Sequence, residues 1–174
     1  MSIEQEIVPT SQLTFSPEAQ EVLRIALFDS GSEVDTSNLL AGLTQVGKLG
    51  ERLREIGVTA EKVLQASERF YPGTRKVLKI NREINRLLGD LVYPTETIEQ
   101  WKHSPVTQPM RRIAAVITQN VIREKRDVIE SYDIFVAIVT DGQNFGAMIL
   151  NELGVGRYVV GEKDELIGLE GTST

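Results

Sequence analysis

The stretch Gly42-Leu43-Thr44-Gln45-Val46-Gly47-Lys48-Leu49 has the G-x4-G-K spacing of a phosphate-binding loop. Such a loop aims backbone N–H groups at a phosphate, reaches further with its lysine, and holds magnesium through a Ser or Thr after that lysine. Leu49 stands where the hydroxyl is needed, and a helical rather than a strand pattern precedes Gly42, so the stretch reads as a turn between two helices. The one histidine of the chain, His103, lies two residues beyond Trp101. A single imidazole with no cysteine gives too few ligands for zinc, and no serine sits in a G-x-S-x-G nucleophile setting. His103 therefore reads as a loop residue near a packed tryptophan. The 25 acidic residues are dispersed as helix-start and solvent-facing charges, without a D-x-D or E-x-x-H cluster. No catalytic residue, cofactor site or metal site is expected.

Arg75, Lys79, Arg82 and Arg86 recur at helical spacing and form a basic row, with Arg111, Arg112, Arg123, Lys125 and Arg126 further along. Such a row can be a solvated face, a contact for an acidic protein, or a seat for nucleic acid. The net charge of -6 repels a phosphate backbone over the whole surface, and aromatics placed for base stacking are not evident. A solvated face is the first expectation, an acidic partner the second, and nucleic acid the last. No apolar run reaches the roughly 18 residues of a membrane span, and Met1 to Gln12 lacks the basic-then-apolar order of a signal peptide. With no cysteine to form a disulfide, the expectation is a soluble cytoplasmic protein with no membrane partner.

The elements that carry these residues repeat. Ser16 to Val58 and Thr107 to Val155 share one layout: Ser16 meets Thr107, Val22 meets Ile113, and Thr36-Ser37-Asn38-Leu39-Leu40 meets Ser131-Tyr132-Asp133-Ile134-Phe135. Gly50 then meets Gly146, and Gly57-Val58 meets Gly154-Val155. Self-similarity of this kind is one helical unit used twice, each copy covering an apolar face it cannot cover alone.

In the first copy Ser16 can cap a helix beginning at Pro17, with Ala19, Val22, Leu23 and Ala26 on one face. Asp35 or Thr36 caps a second helix holding Leu39, Leu40 and Leu43. A third runs roughly from Lys48 to Ile56 and stops at Gly57. Thr59 caps a fourth, with Val63, Leu64 and Phe70 expected inside. Tyr71-Pro72-Gly73 breaks the pattern, and a long helix from Arg75 to Leu91 follows, its stripe of Val77, Ile80, Ile84, Leu87, Leu88 and Leu91 expected in the core or on a partner. A short helix or loop around Thr97 to Trp101 leads to the second copy, which has three helices. Residues 157–160 and 165–169 read as a short hairpin rather than a fourth helix. The expected fold is all-α: two pseudo-symmetric helical repeats with an inserted long helix. The expected layout is a flexible arm over 1–14, repeats over 15–70 and 105–156, insert and linker over 71–104, and a hairpin-like tail over 157–174, in one domain overall.

These elements resemble the double-repeat N-terminal domain of Clp ATPases, of the ClpA and ClpC type. The family's capped helix, its Thr-Glu-His-Leu-Leu-Leu-Gly-Leu helix and its glycine-led helix ending in Leu-Gly-Val correspond to Ser16-Pro17, Thr36 to Leu43 and Gly50 to Val58. They correspond again to Thr107 onward, Ser131 to Ile138 and Gly146 to Val155. The resemblance covers some 90 residues of the 174. It implies a non-catalytic, all-helical module that binds protein substrates, adaptors or Clp ATPase and protease subunits, in chaperone-assisted proteolysis and protein quality control. It implies a docking surface in the groove between the copies, lined by Ser37, Asn38, Tyr132 and Asp133. Ser37 and Tyr132 stand where the ClpC branch has glutamates for phosphorylated arginine. Neither supplies the carboxylate that complements a guanidinium, so the resemblance does not carry that ligand over. Two other readings stay open: a helical regulator binding nucleic acid through the basic row, and the N-terminal part of a full Clp ATPase.

Overall fold

Ser16 ends an extended segment and starts a helix, its hydroxyl accepting the N–H of Ala19 at 3.1 Å. That bond satisfies one of the free donors of the first turn. The structure, a computed structural model, describes residues 13–28, 34–70, 96–102, 106–154, 158–160 and 166–168. The first copy comprises β1 (Thr14–Phe15), α1 (Pro17–Phe28), α2 (Thr36–Leu43), α3 (Gly47–Glu55) and α4 (Ala60–Phe70). A short α5 (Ile98–Lys102) leads to the second copy: α6 (Gln108–Arg123), β2 (Val128–Ile129), α7 (Ser131–Asp141) and α8 (Phe145–Glu152). An antiparallel hairpin follows, β3 (Tyr158–Val160) on β4 (Leu166–Gly168), with Val159 opposite Ile167. The fold is all-α with two small two-stranded sheets. The expected helix from Arg75 to Leu91, and with it Arg75, Lys79, Arg82 and Arg86, lies outside the described residues, as does His103.

The duplication is written into the backbone. β1, which leads into α1, pairs in parallel with β2, which leads into α7. Val106, which leads into α6, bridges in parallel to Val34, which leads into α2. The N–H of Ser16 donates to the Ile129 carbonyl at 2.9 Å, and that of Thr107 to the Val34 carbonyl at 3.0 Å. Ser16 aligns with Thr107 and Val34 with Ile129, so one bond is made twice with the copies exchanging roles. The helix starts repeat as well: the Asn38 side chain accepts the Asp35 N–H at 2.8 Å, and the Asp133 carboxylate accepts the Glu130 N–H at 2.8 Å. Each is the returning half of a capping box.

Within each copy the first helix packs on the second, α1 on α2 and α6 on α7, and α2 packs on α7 across the pseudo-symmetric centre. Ala19, Val22, Leu23 and Ala26 are all buried, as are Leu39, Leu40 and Leu43. The phosphate-loop look-alike is accounted for here. A Cβ on Gly42 would lie 2.7 Å from the Val22 carbonyl oxygen, so this glycine lets α1 and α2 approach. Gly47 begins α3. The stretch is a helix-to-helix turn.

Some expectations require correction. Phe70 is 39% exposed rather than buried: it ends α4 and meets the Phe145 ring edge-on, with ring centroids 5.4 Å apart. Leu64 is half-buried. The fold also begins before Ser16, because Leu13 is fully buried and Thr14 is paired in β1, where the reading placed both in a flexible arm.

Helices α3 and α6 close with the same motif. Gly57 donates to Arg54 at 3.0 Å and Val58 to Leu53 at 2.8 Å; Lys125 donates to Ile122 at 2.9 Å and Arg126 to Val121 at 3.0 Å. This pair of bonds puts the first residue past the cap in the left-handed region. Gly57 accepts that freely at φ 97°, whereas Lys125 is forced to φ 59°. Lys125→Gly is therefore expected to raise stability by about 1 kcal/mol, read as an increased urea midpoint with an unchanged m-value. An equal or lower midpoint would show that Lys125 holds this conformation without cost.

The copies differ in their fourth element. α4 lies against α2 of its own copy and α8 of the other, where Arg69 meets Glu152 at 3.0 Å. In the second copy β3 lies against α7 and β4 against α3. Since α7 corresponds to α2 and α3 to α8, the hairpin occupies the place that α4 fills in the first copy.

Candidate docking site

Ser37 and Asn38 are the second and third residues of α2, and Tyr132 and Asp133 those of α7. The alignment thus places all four on the first turns of two helices that pack on each other. Their environments separate them. Asp133 is only 5% exposed. Besides the Glu130 N–H, it accepts a two-pronged bond from Arg126, Nη1 to Oδ2 at 2.9 Å and Nη2 to Oδ1 at 2.7 Å. The Asn38 amide oxygen is spent on the Asp35 N–H. Ser37 and Tyr132 are half-buried and leave part of their surface open to solvent.

Arg126 organises the α7 side. It also bonds Glu124 at 2.6 Å, donates to the Val128 carbonyl at 3.2 Å, and lies over the Tyr132 ring 5.5 Å from its centroid. A guanidinium above a ring face is attracted by the ring quadrupole, so Tyr132 is held from one side. Bonding to Asp133 raises the Arg126 pKa further above its ordinary value. Burial, and then the Asp133 charge, raise that of the Tyr132 phenol, which stays neutral and able to donate. Nothing in the residue types of the loop before α7 announced Arg126 as a hub. The spacings Asp35-x-x-Asn38 and Glu130-x-x-Asp133 could have shown that Asn38 and Asp133 serve their own helices.

Two further bonds cross between the copies. The Thr107 hydroxyl donates to Asp35 at 2.6 Å, and the Thr36 hydroxyl accepts the Gly146 N–H at 2.7 Å. Ser131, aligned with Thr36, is buried with no hydrogen-bond partner for its hydroxyl among the described residues. The symmetry is broken at this point.

A second cluster, which the sequence reading also missed, closes the far end of α7. Arg112 bonds Asp141 twice, Nε to Oδ1 at 2.8 Å and Nη2 to Oδ2 at 3.1 Å, and donates to the Gln143 carbonyl at 2.8 Å. The Asn144 amide donates to Asp141 at 2.9 Å and to the Ile138 carbonyl at 3.0 Å, while its oxygen caps α8 through the Ala147 N–H. The Arg112 bond holds the Asp141 carboxyl below its ordinary pKa, opposed by partial burial. A carboxyl with a depressed folded-state pKa adds stability above the unfolded value, near pH 4, and that stability is lost as pH falls through the folded value. Asp141→Asn is expected to lower Tm at pH 7 and to differ less from the parent as pH drops below about 4. A gap that stays constant over this range would show that the charge of Asp141 contributes nothing.

Of the basic residues on and after α6, Arg112 and Arg126 are engaged by carboxylates and Arg123 bonds Asn120 at 2.6 Å. Among the described residues no group of three or more His, Asp or Glu side chains could hold a metal ion. Among the same residues no helix is long and apolar enough to cross a membrane. No family model matches the sequence, and no curated protein matches it either.

Proposed function

We propose that this chain is a non-catalytic protein-binding module, an adaptor or a substrate-docking and regulatory subunit of a cytoplasmic Clp-type chaperone–protease system. The observation that supports this is the reciprocal exchange between the copies, Ser16 to Ile129 and Thr107 to Val34. It ties two like helical units into one frame and sets the first turns of α2 and α7 at matching positions, as the resemblance to the Clp N-terminal domain implies. Ser37 and Tyr132 are the side chains best placed to meet a Clp ATPase subunit, a protease subunit or a protein substrate. Asn38 and Asp133 hold the turns that present them.

The test is a pull-down from native extract with the intact chain as bait, read by mass spectrometry, beside a Ser37→Arg, Tyr132→Ala double variant with unchanged helical circular dichroism. Clp subunits recovered by the parent and lost from the variant are the expected result. Recovery of nucleic acid or of unrelated proteins, equal in both, would reject the proposal.

A further inference from the structure

Each copy is closed by a fourth element, and the two elements differ in kind. In the first copy it is an eleven-residue helix with Val63, Ala66 and Ser67 buried, an apolar stripe at i, i+3 and i+4. In the second it is a hairpin with strands of three residues each. The supports correspond: α4 rests on α2 and α8, the hairpin on α7 and α3. The first pair of supports thus carries a helix, and the second pair, at the matching places, carries the hairpin.

A hairpin of this length is marginal by itself, so its order depends on the helices beneath it. Gly154, which follows α8, adopts φ +80°, and a Cβ built on it would find nothing within 4 Å among the described residues.

We propose that the face of α7 and α3 under the β3–β4 hairpin is a helix-binding seat. The hairpin is an internal strap that competes for it with an amphipathic helix from a partner protein. The partner's chemistry follows from α4: a helix presenting Val- and Ala-sized residues at i, i+3 and i+4, docking as a helix does in a groove. The strap lowers the apparent affinity for such a helix by the fraction of time it is seated. This inference does not rest on a Clp-type partner.

The experiment compares the full chain with a chain ending at Gly154, and with full-length Val159→Pro, which removes a backbone donor from the hairpin strand. The probe is a fluorescein-labelled peptide of residues 59–70, the segment that forms α4, followed by anisotropy; a Val63→Asp peptide is the control. Displacement of the resident α4 by the peptide would be equal in all three proteins, so the differences report the second seat. Expected is binding at least about ten-fold tighter to the shortened chain than to the full chain, the ratio for a strap seated roughly nine-tenths of the time. Val159→Pro should fall between, and the control peptide should not bind. If the shortened chain alone fails to fold, Val159→Pro carries the comparison with the same direction. Equal affinity in all forms, no binding to any, or loss of cooperative unfolding in both altered chains would overturn the proposal.

Discussion

Leu39→Asp and Ile134→Asp are each expected to abolish the folded state near neutral pH, or to destabilise it by more than about 4 kcal/mol. The two residues align between the copies, and both are 0% exposed. Around Leu39 the second turn of α2 is apolar, with Leu40, Ala41 and Leu43 buried beside it; around Ile134 the neighbours are Phe135, Ala137 and Ile138. A carboxylate at either place loses its hydration without a cation or donor to replace it. A domain whose net stability is about 5–15 kcal/mol does not absorb such a loss easily. Met148→Asp, at a side chain 47% exposed, is the control and should cost under about 1 kcal/mol. Thermal melts by circular dichroism decide it. A mild effect in one copy and a severe one in the other would mean that the copies are not equal parts of one core.

Much of this core was legible because helices are local. Ser16, Pro17 and the spacing of Ala19, Val22, Leu23 and Ala26 define α1 from consecutive residues, and Gly57 ends α3 for reasons held within one turn. The hairpin from Tyr158 to Gly168 was legible in the same way. Phe70 was not, since a terminal aromatic is covered only by what a distant element brings to it, and α8 brings one ring edge. The pairing of Thr14–Phe15 with Val128–Ile129 could not be read either. Two-residue strands have no periodicity, and their register is fixed by the helices they precede rather than by their own side chains.

The candidate site was legible in position and not in role. The alignment put Ser37, Asn38, Tyr132 and Asp133 on matching helix starts, which is where they lie. A position three residues into a helix is also where a side chain reaches back to the N-cap N–H, and Asn38 and Asp133 are used that way. The pairing of Asp133 with Arg126 depends on the left-handed turn at Lys125, and that of Arg112 with Asp141 on two helices crossing. Both are tertiary facts that spacing does not encode.

Asp133→Ala is expected to cost about 2–4 kcal/mol, and Asp133→Asn distinctly less. The parent carboxylate serves two neighbours, the Glu130 N–H and the Arg126 guanidinium. Asparagine keeps the acceptor for the N–H, as Asn38 does at the matching place in the first copy, and gives up the charged fork. Alanine gives up both. The step from Asp to Asn then reports the ion pair, which is discounted because Arg126 remains 26% exposed and water partly replaces its partner. The step from Asn to Ala reports the cap, about 1 kcal/mol. For a chain of this size each kcal/mol moves Tm by roughly 2–4 °C, so the three proteins separate clearly in a melt. In both variants Arg126 loses the charged fork that fixes it over Tyr132 and keeps only Glu124 and the Val128 carbonyl among the partners described, so tyrosine fluorescence should report the altered packing of the ring even where Tm changes little. Equal losses for alanine and asparagine would show that the cap contributes nothing and that the ion pair alone holds the start of α7.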